Sequence, residues 1–233
     1  VGLTFRPVTA MSPGRDAIHD GSGDQMSLHA ATPPDTETFR LLFVCTGNIC
    51  RSPVAEIMTK HILKGGLGGH EAARFVVASA GVGAVVGEMM HPDTRDELSP
   101  WGLDGLVAGE FRARQLRAPM VRRADLVLGA NVRHRSAIVE REPAGLRTTF
   151  ALREFAALAD AVDETLLPAE DPVKRATELV EQARMLRGLV RMDPEDLRLP
   201  DPMGRPPAAH RHAVELITDA VYRIVQRIVP PRG

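Results

Sequence analysis

The stretch that most limits what this chain can become is Leu41-Leu42-Phe43-Val44-Cys45-Thr46-Gly47-Asn48-Ile49-Cys50-Arg51-Ser52-Pro53. Four apolar residues in a row read as a buried strand, and the turn-prone Gly47-Asn48 pair ends it. Beyond Ser52, the residues Val54, Ile57, Met58, His61 and Ile62 recur at helical spacing, with Pro53 suited to a first helical turn. Cys45 to Arg51 is therefore a short loop leading from a strand into a helix. Such a loop turns consecutive backbone N–H groups, and the positive end of the helix dipole, into one concavity that suits an anion.

Cys45 stands at the mouth of that concavity. A cysteine at a strand end is ordinarily a small buried apolar residue. The spacing Cys-x5-Arg-Ser between strand and helix points instead to a nucleophile. The field that holds a phosphate also favours a thiolate, which is the attacking species. Arg51 supplies a planar, two-pronged donor matched to two phosphate oxygens. Ser52 supplies a hydroxyl to the sulfur. Thr46, Gly47, Asn48, Ile49, Cys50, Arg51 and Ser52 together form the expected phosphate-binding set.

Alternating strands and helices place this loop in a parallel sheet covered on both faces. Strands are expected at Leu41–Val44, Arg74–Ala78, Ala124–Leu128 and Thr148–Phe150. Helices are expected from the loop to about Leu63, where the cluster Gly65, Gly66, Gly68, Gly69 ends the first, and then over Pro92–Trp101, Val132–Glu140, Leu152–Leu158, Val173–Val190 and Ala208–Val229. The crossover rule then gives a small doubly wound α/β domain, a flavodoxin-like four-stranded parallel sheet with helices on both faces. Residues 1–38 mix Gly, Ser, Pro, Asp and Thr without a period and are expected to form a mobile extension, leaving 39–233 as the catalytic domain.

Composition narrows the function class. A formal net charge of −1 gives no electrostatic case for nucleic acid. The two cysteines both fall in the loop, so they form no secreted disulfide framework, and a cytoplasmic setting is expected. No apolar run approaches membrane-spanning length, and the N-terminus lacks a signal-peptide layout. No local metal-ligand spacing such as His-x-x-x-His or Cys-x-x-Cys occurs, so neither metal nor cofactor is expected.

Ester cleavage by a thiolate needs an acid for the leaving oxygen and a base for water, and one carboxyl group can serve both steps. Asp171-Pro172, Asp193-Pro194 and Asp201-Pro202 are the candidates. Generic chemistry does not choose among them, since Asp-Pro is commonly a turn or a helix start.

The run Val44-Cys45-Thr46-Gly47-Asn48-Ile49-Cys50-Arg51-Ser52 resembles the signature of the low-molecular-weight protein-tyrosine phosphatases. Further matches follow in the family's order: Ala78-Ser79-Ala80-Gly81, Arg112-Ala113-Arg114-Gln115-Leu116, Ala124-Asp125-Leu126-Val127-Leu128, Thr149-Phe150-Ala151-Leu152-Arg153-Glu154-Phe155, and Pro200-Asp201-Pro202. The resemblance implies a metal-independent phosphatase of phosphotyrosine, or of a small aryl phosphate, working through a phosphocysteine on Cys45. It selects Asp201 as general acid and base, because Asp201-Pro202 lies just ahead of the final helix. It assigns Asn48, Ser52 and Ser79 to support of the loop, and Cys50 to a protective reversible disulfide with Cys45.

Four departures from the family pattern stand out. Met203 replaces an aromatic after the acid's Asp-Pro, and Val82-Gly83-Ala84-Val85-Val86 lacks a second aromatic wall. Aliphatic faces grip a phenyl ring less selectively. Phe111 stands where a loop-supporting His is usual, and Gly129-Ala130-Asn131 replaces a more polar run. The alternatives implied by similar folds are an arsenate reductase using an external thiol, a phosphoarginine phosphatase, and a weakly active phosphopeptide-binding module. Members of the phosphoarginine class often carry Thr where this chain has Ile49.

Overall fold

The computed structural model describes residues 37–231. The expected N-terminal extension lies outside them except for Glu37 and Thr38. In chain order the elements are β1 (Phe39–Cys45), α1 (Arg51–Ala72), β2 (Phe75–Gly81), α2 (Pro92–Asp96), a 3-10 turn (Ser99–Trp101), α3 (Leu106–Gly109), α4 (Ala118–Arg122), β3 (Leu126–Gly129) and α5 (Val132–Arg141). A second 3-10 turn (Pro143–Arg147), β4 (Thr149–Ala151), α6 (Leu152–Ala161), a third 3-10 turn (Glu164–Leu166), α7 (Pro172–Leu186) and α8 (Pro207–Ile228) complete it.

All strand pairs are parallel and the order is β2-β1-β3-β4, the doubly wound α/β arrangement expected from the sequence. The order reverses between β1 and β3, where a crevice opens at the carboxyl ends of the strands. The loop after β1 sits at that crevice. Alternation along β1 explains the two layers around the sheet. Leu41, Phe43 and Cys45 join a large core with α1, α6, α7 and α8, whereas Leu42 and Val44 join a smaller one with Val121 of α4, Val127 and Ile138 of α5.

Three boundaries differ from expectation. The glycine cluster does not end α1 near Leu63; the helix runs to Ala72 across a kink at Gly68, whose φ of +78° only glycine adopts readily. Gly66 serves a different end, since a Cβ there would lie 2.8 Å from the Val229 side chain, so it admits the end of α8 against α1. Close packing, not termination, accounts for it. The expected helix over Pro92–Trp101 is two short pieces, because Pro100 has no N–H to continue an α-helix. The α7 helix stops at Leu186 because Arg187 turns extended, lays its guanidinium 3.7 Å from the Phe150 ring and donates to the Thr149 carbonyl at 2.6 Å.

Candidate active site

The loop from Thr46 to Cys50 is held from outside by its carbonyls. Val82, Gly83, Val85, His91 and Val54 donate their N–H groups to the carbonyls of Cys45, Thr46, Gly47, Ile49 and Cys50 at 2.8–3.3 Å. Among the described residues, no backbone hydrogen bond is donated by Thr46 to Cys50. With those carbonyls engaged from outside and the N–H groups left without backbone partners at the start of α1, the loop has the hydrogen-bonding pattern that an anion nest requires. Gly81 makes this possible: a Cβ on it would stand 2.4 Å from the Thr46 carbonyl.

Asn48 fixes the loop's shape. It is fully buried and left-handed at φ +57°, a conformation Asn tolerates better than other side chains. Its amide donates to Ser52 Oγ and Ser79 Oγ, each at 2.9 Å, and its Oδ1 accepts from the Arg114 backbone N–H at 2.8 Å. Every hydrogen-bonding atom pair this side chain needs is engaged, and removing one would leave a buried group unpaired at a cost of about 1–3 kcal/mol. Ser79 passes the chain on, donating to Glu56 Oε2 at 2.7 Å. Glu56, nearly buried on α1, is paired with Arg114 at 3.2 Å and Lys60 at 2.6 Å. Phe111, expected to cost the loop a support, is itself buried beneath Arg114, whose guanidinium lies 6.0 Å from its ring centre. Glu56 and Arg114 complete the support from another direction.

Cys45 is buried at the end of β1, its Sγ 3.0 Å from Ser52 Oγ. Arg51, the first residue of α1, is also buried and pairs with the Asp201 carboxylate, which is half exposed. Asp201 itself turns the chain by accepting from the Met203 N–H at 3.3 Å. The three Asp-Pro pairs thus occupy three different situations. Asp171 caps α7 through the N–H groups of Val173 and Lys174 and holds Arg74 at 3.0 Å. Asp193 caps a turn through the Glu195 N–H at 2.9 Å. Asp201 alone of the three meets Arg51.

Cys50 caps the loop on its far side. Burial pushes its thiol up to about 11, against the opposing hydrogen bond from Thr94, and its S–H points at Met203 Sδ 3.4 Å away. Both cysteines are free thiols. Beside the loop, Val85 near Gly47 and Met203 near Cys50 are exposed, so this rim is aliphatic and thioether in character, as the departures from the family pattern imply.

Three residues escaped the sequence reading: Glu56 and Arg114 in the loop's support, and His134 beside Thr46. His134, on the first turn of α5, places Nε2 3.0 Å from Thr46 Oγ1. Burial, reinforced by the Arg51 charge, pushes it down to about 4, so the ring is neutral near pH 7. The signal was available in Asn131, which caps α5 by accepting the N–H groups of Arg133 and His134 at 3.1 and 3.3 Å and so aims that first turn at the loop.

Residues 40–186 match the family described as low molecular weight phosphotyrosine protein phosphatase. Asp201 lies beyond the match, so its placement beside Arg51 comes from the structure. The chain is 36% identical over 115 residues to the probable low molecular weight protein-tyrosine-phosphatase EpsP of Ralstonia nicotianae, covering 49% of this chain and 71% of that protein. It is 33% identical over 122 residues to the protein-arginine-phosphatase of Geobacillus stearothermophilus, covering 52% of this chain and 74% of that one. The solved low molecular weight protein tyrosine phosphatase from T. tengcongensis shares the fold, with a TM-score of 0.57 at 24% identity over 81% of this chain and 99% of that one. Among the described residues, no helix is long and apolar enough to cross a membrane. With the family's signature built into the loop between β1 and α1, the chain belongs to the low molecular weight phosphotyrosine protein phosphatases.

Proposed function

We propose that this hydrolase cleaves phosphotyrosine, or a comparable aryl phosphate on a protein or small molecule, through a covalent phosphocysteine on Cys45. The observation that supports the reading is the pairing of the buried Arg51 guanidinium with the Asp201 carboxylate, Arg51 lying on the same short loop that carries the Cys45 sulfur bonded to Ser52.

Cys45 attacks phosphorus in line with the leaving oxygen. Arg51 and the loop amides hold the equatorial oxygens, where charge accumulates in the transition state. The incoming phosphate takes over Arg51, which frees Asp201 to give a proton to the departing phenolate. Asp201 then takes a proton from water, whose oxygen breaks the phosphorus–sulfur bond. Ser52, 3.0 Å from Cys45 Sγ, stabilises the sulfur when it leaves. Thr46, Gly47, Asn48, Ile49 and Cys50 shape the nest, and Asn48 and Ser79 hold it rigid.

Phosphoarginine is the second reading, favoured by the arginine-phosphatase relative. Against it stands Ile49, a branched aliphatic at the position where that class often has Thr. Cys50 is proposed to protect Cys45 by a reversible disulfide after oxidation; alkylation following mild peroxide is expected to find no free thiol pair in the inactivated protein, and recovery of both would refute this role.

The test is a side-by-side assay of para-nitrophenyl phosphate, phosphotyrosine peptide, phosphoarginine peptide and arsenate. The expected result is a kcat/KM on phosphotyrosine peptide above that on phosphoarginine, with no arsenate reduction. Turnover confined to phosphoarginine would replace the substrate class and leave the chemistry of Cys45 in place.

A further inference from the structure

Where α2 and α8 begin, a second group of chemically capable side chains comes together behind the phosphate loop. His91 precedes α2, Asp93 lies in it, and His210 lies in the first turn of α8. The two imidazoles stack with centroids 4.6 Å apart at 23°. One ligand-type atom from each of the three residues lies within 4.8 Å of the others.

Their hydrogen bonding is incomplete in a particular way. His210 is fully buried, and its Nδ1 lies 2.7 Å from Thr94 Oγ1. That contact occupies Nδ1 and leaves Nε2 as the ring nitrogen available to a ligand. Nε2 is buried without a hydrogen-bond partner, as is Nδ1 of the adjacent His91. Buried polar atoms are ordinarily paired, so two unpartnered ring nitrogens side by side mark a place suited to an acceptor of lone pairs. The Asp93 carboxylate stands 3.9 Å from His210 Nε2 and is partly open to solvent, which gives an ion a way in.

The surroundings favour a cation. The Asp93 carboxylate stands beside the His210 ring, and the nearby Arg211 is engaged by Glu97 at 3.3 Å. Two imidazoles and one carboxylate, with a further position open to water, are the donor set of zinc and its borderline neighbours and not of magnesium or calcium.

We propose that His91, Asp93 and His210 form a binding site for a divalent transition-metal ion of the zinc type, with Thr94 orienting His210 toward the metal. The site is joined to the phosphate loop by a backbone bond: the His91 N–H donates to the Ile49 carbonyl at 2.8 Å. The ion therefore braces the loop from behind and takes no part in phosphate chemistry. Local spacing in the sequence hides it, because His210 is separated from the other two by most of the domain.

Titration of the full chain, stripped with a chelator, with cobalt(II) chloride and with zinc chloride tests the proposal. The expected result is one ion per chain, a raised Tm with zinc, and cobalt d–d absorption without a sulfur-to-cobalt charge-transfer band. The double variant Cys45→Ser, Cys50→Ser is expected to keep this binding. Asp93→Asn and His91→Gln, both at partly exposed positions, are each expected to weaken it at least about tenfold, and Thr94→Val by roughly tenfold through loss of the orienting bond. No saturable binding, binding that disappears with the two thiols, or affinity unchanged in both the Asp93 and His91 variants would overturn the proposal.

Discussion

Asn48 and Met203 stand at the same concavity under opposite conditions. Asn48 is fully buried, strained into the left-handed region and engaged through both its amide and its carbonyl oxygen. Met203 is 48% exposed, and its sulfur receives only the weak S–H donor of Cys50 at 3.4 Å. The loop proposed to hold phosphate is thus over-determined by buried hydrogen bonds, while the part proposed to grip the rest of a substrate is soft and apolar. Chemistry is written into rigid structure here, and specificity into exposed side chains that are cheap to change.

If that contrast is right, substitutions should sort by which side they touch. The largest effect short of removing the nucleophile belongs to the acid. Asp201→Asn is expected to lower kcat by about 10²–10⁴-fold on a phenyl phosphate with a poor leaving group, while leaving a burst with para-nitrophenyl phosphate. Burst kinetics across a leaving-group series check this; an equal loss for good and poor leaving groups would remove Asp201 from the acid role.

The support of the loop comes next. Asn48→Ala is expected to cost about 3 kcal/mol in denaturant unfolding, because Ser52, Ser79 and the Arg114 N–H lose a buried partner while Ala takes the left-handed backbone at a further penalty. Asn48→Gly relieves the backbone part alone, so it is expected to recover about 1 kcal/mol of stability without restoring turnover. Full recovery of both by glycine would mean the hydrogen bonds are incidental.

His134 gives the loop a pH dependence. Its folded value of about 4 lies below the 6.5 of the unfolded chain, so above pH 6.5 both states are neutral and nothing is lost. As pH falls from 6.5 to 4, the unfolded chain takes up the proton first, and the fold loses on the order of 3 kcal/mol from this group. Unfolding free energies of wild type and His134→Gln, measured across that window, are expected to converge as pH falls. Parallel curves would show that the ring is not held neutral.

The rim should give the smallest response. Met203→Tyr is expected to lower KM for phosphotyrosine peptide by a few fold, up to about tenfold, with kcat nearly unchanged. A change in kcat of similar size would mean that the rim and the loop are not separable after all.

The sequence made the loop itself and the aliphatic rim readable, and the packing that supports the loop less so. Cys45, Arg51 and the amide loop follow from one local run, because strand, turn and helix start are set by neighbouring residues. The sheet was legible for the same reason, from short apolar runs separated by helical spacing. Glu56, Arg114 and His134 were not, since each earns its place by a contact that tertiary packing creates across the sheet. The glycine cluster misled for a related cause: Gly66 answers to Val229, far along the chain, and helix propensity does not see that. His91, Asp93 and His210 meet only because α2 and α8 begin side by side.

The most direct test of the covalent account is acid-quenched peptide mapping of the full-length Asp201→Asn protein after mixing with para-nitrophenyl phosphate. A phosphoryl group on the peptide bearing Cys45, absent from the Cys45→Ser protein, is the predicted result. Undiminished turnover by the Cys45→Ser protein, or phosphate mapped to any other residue, would contradict it.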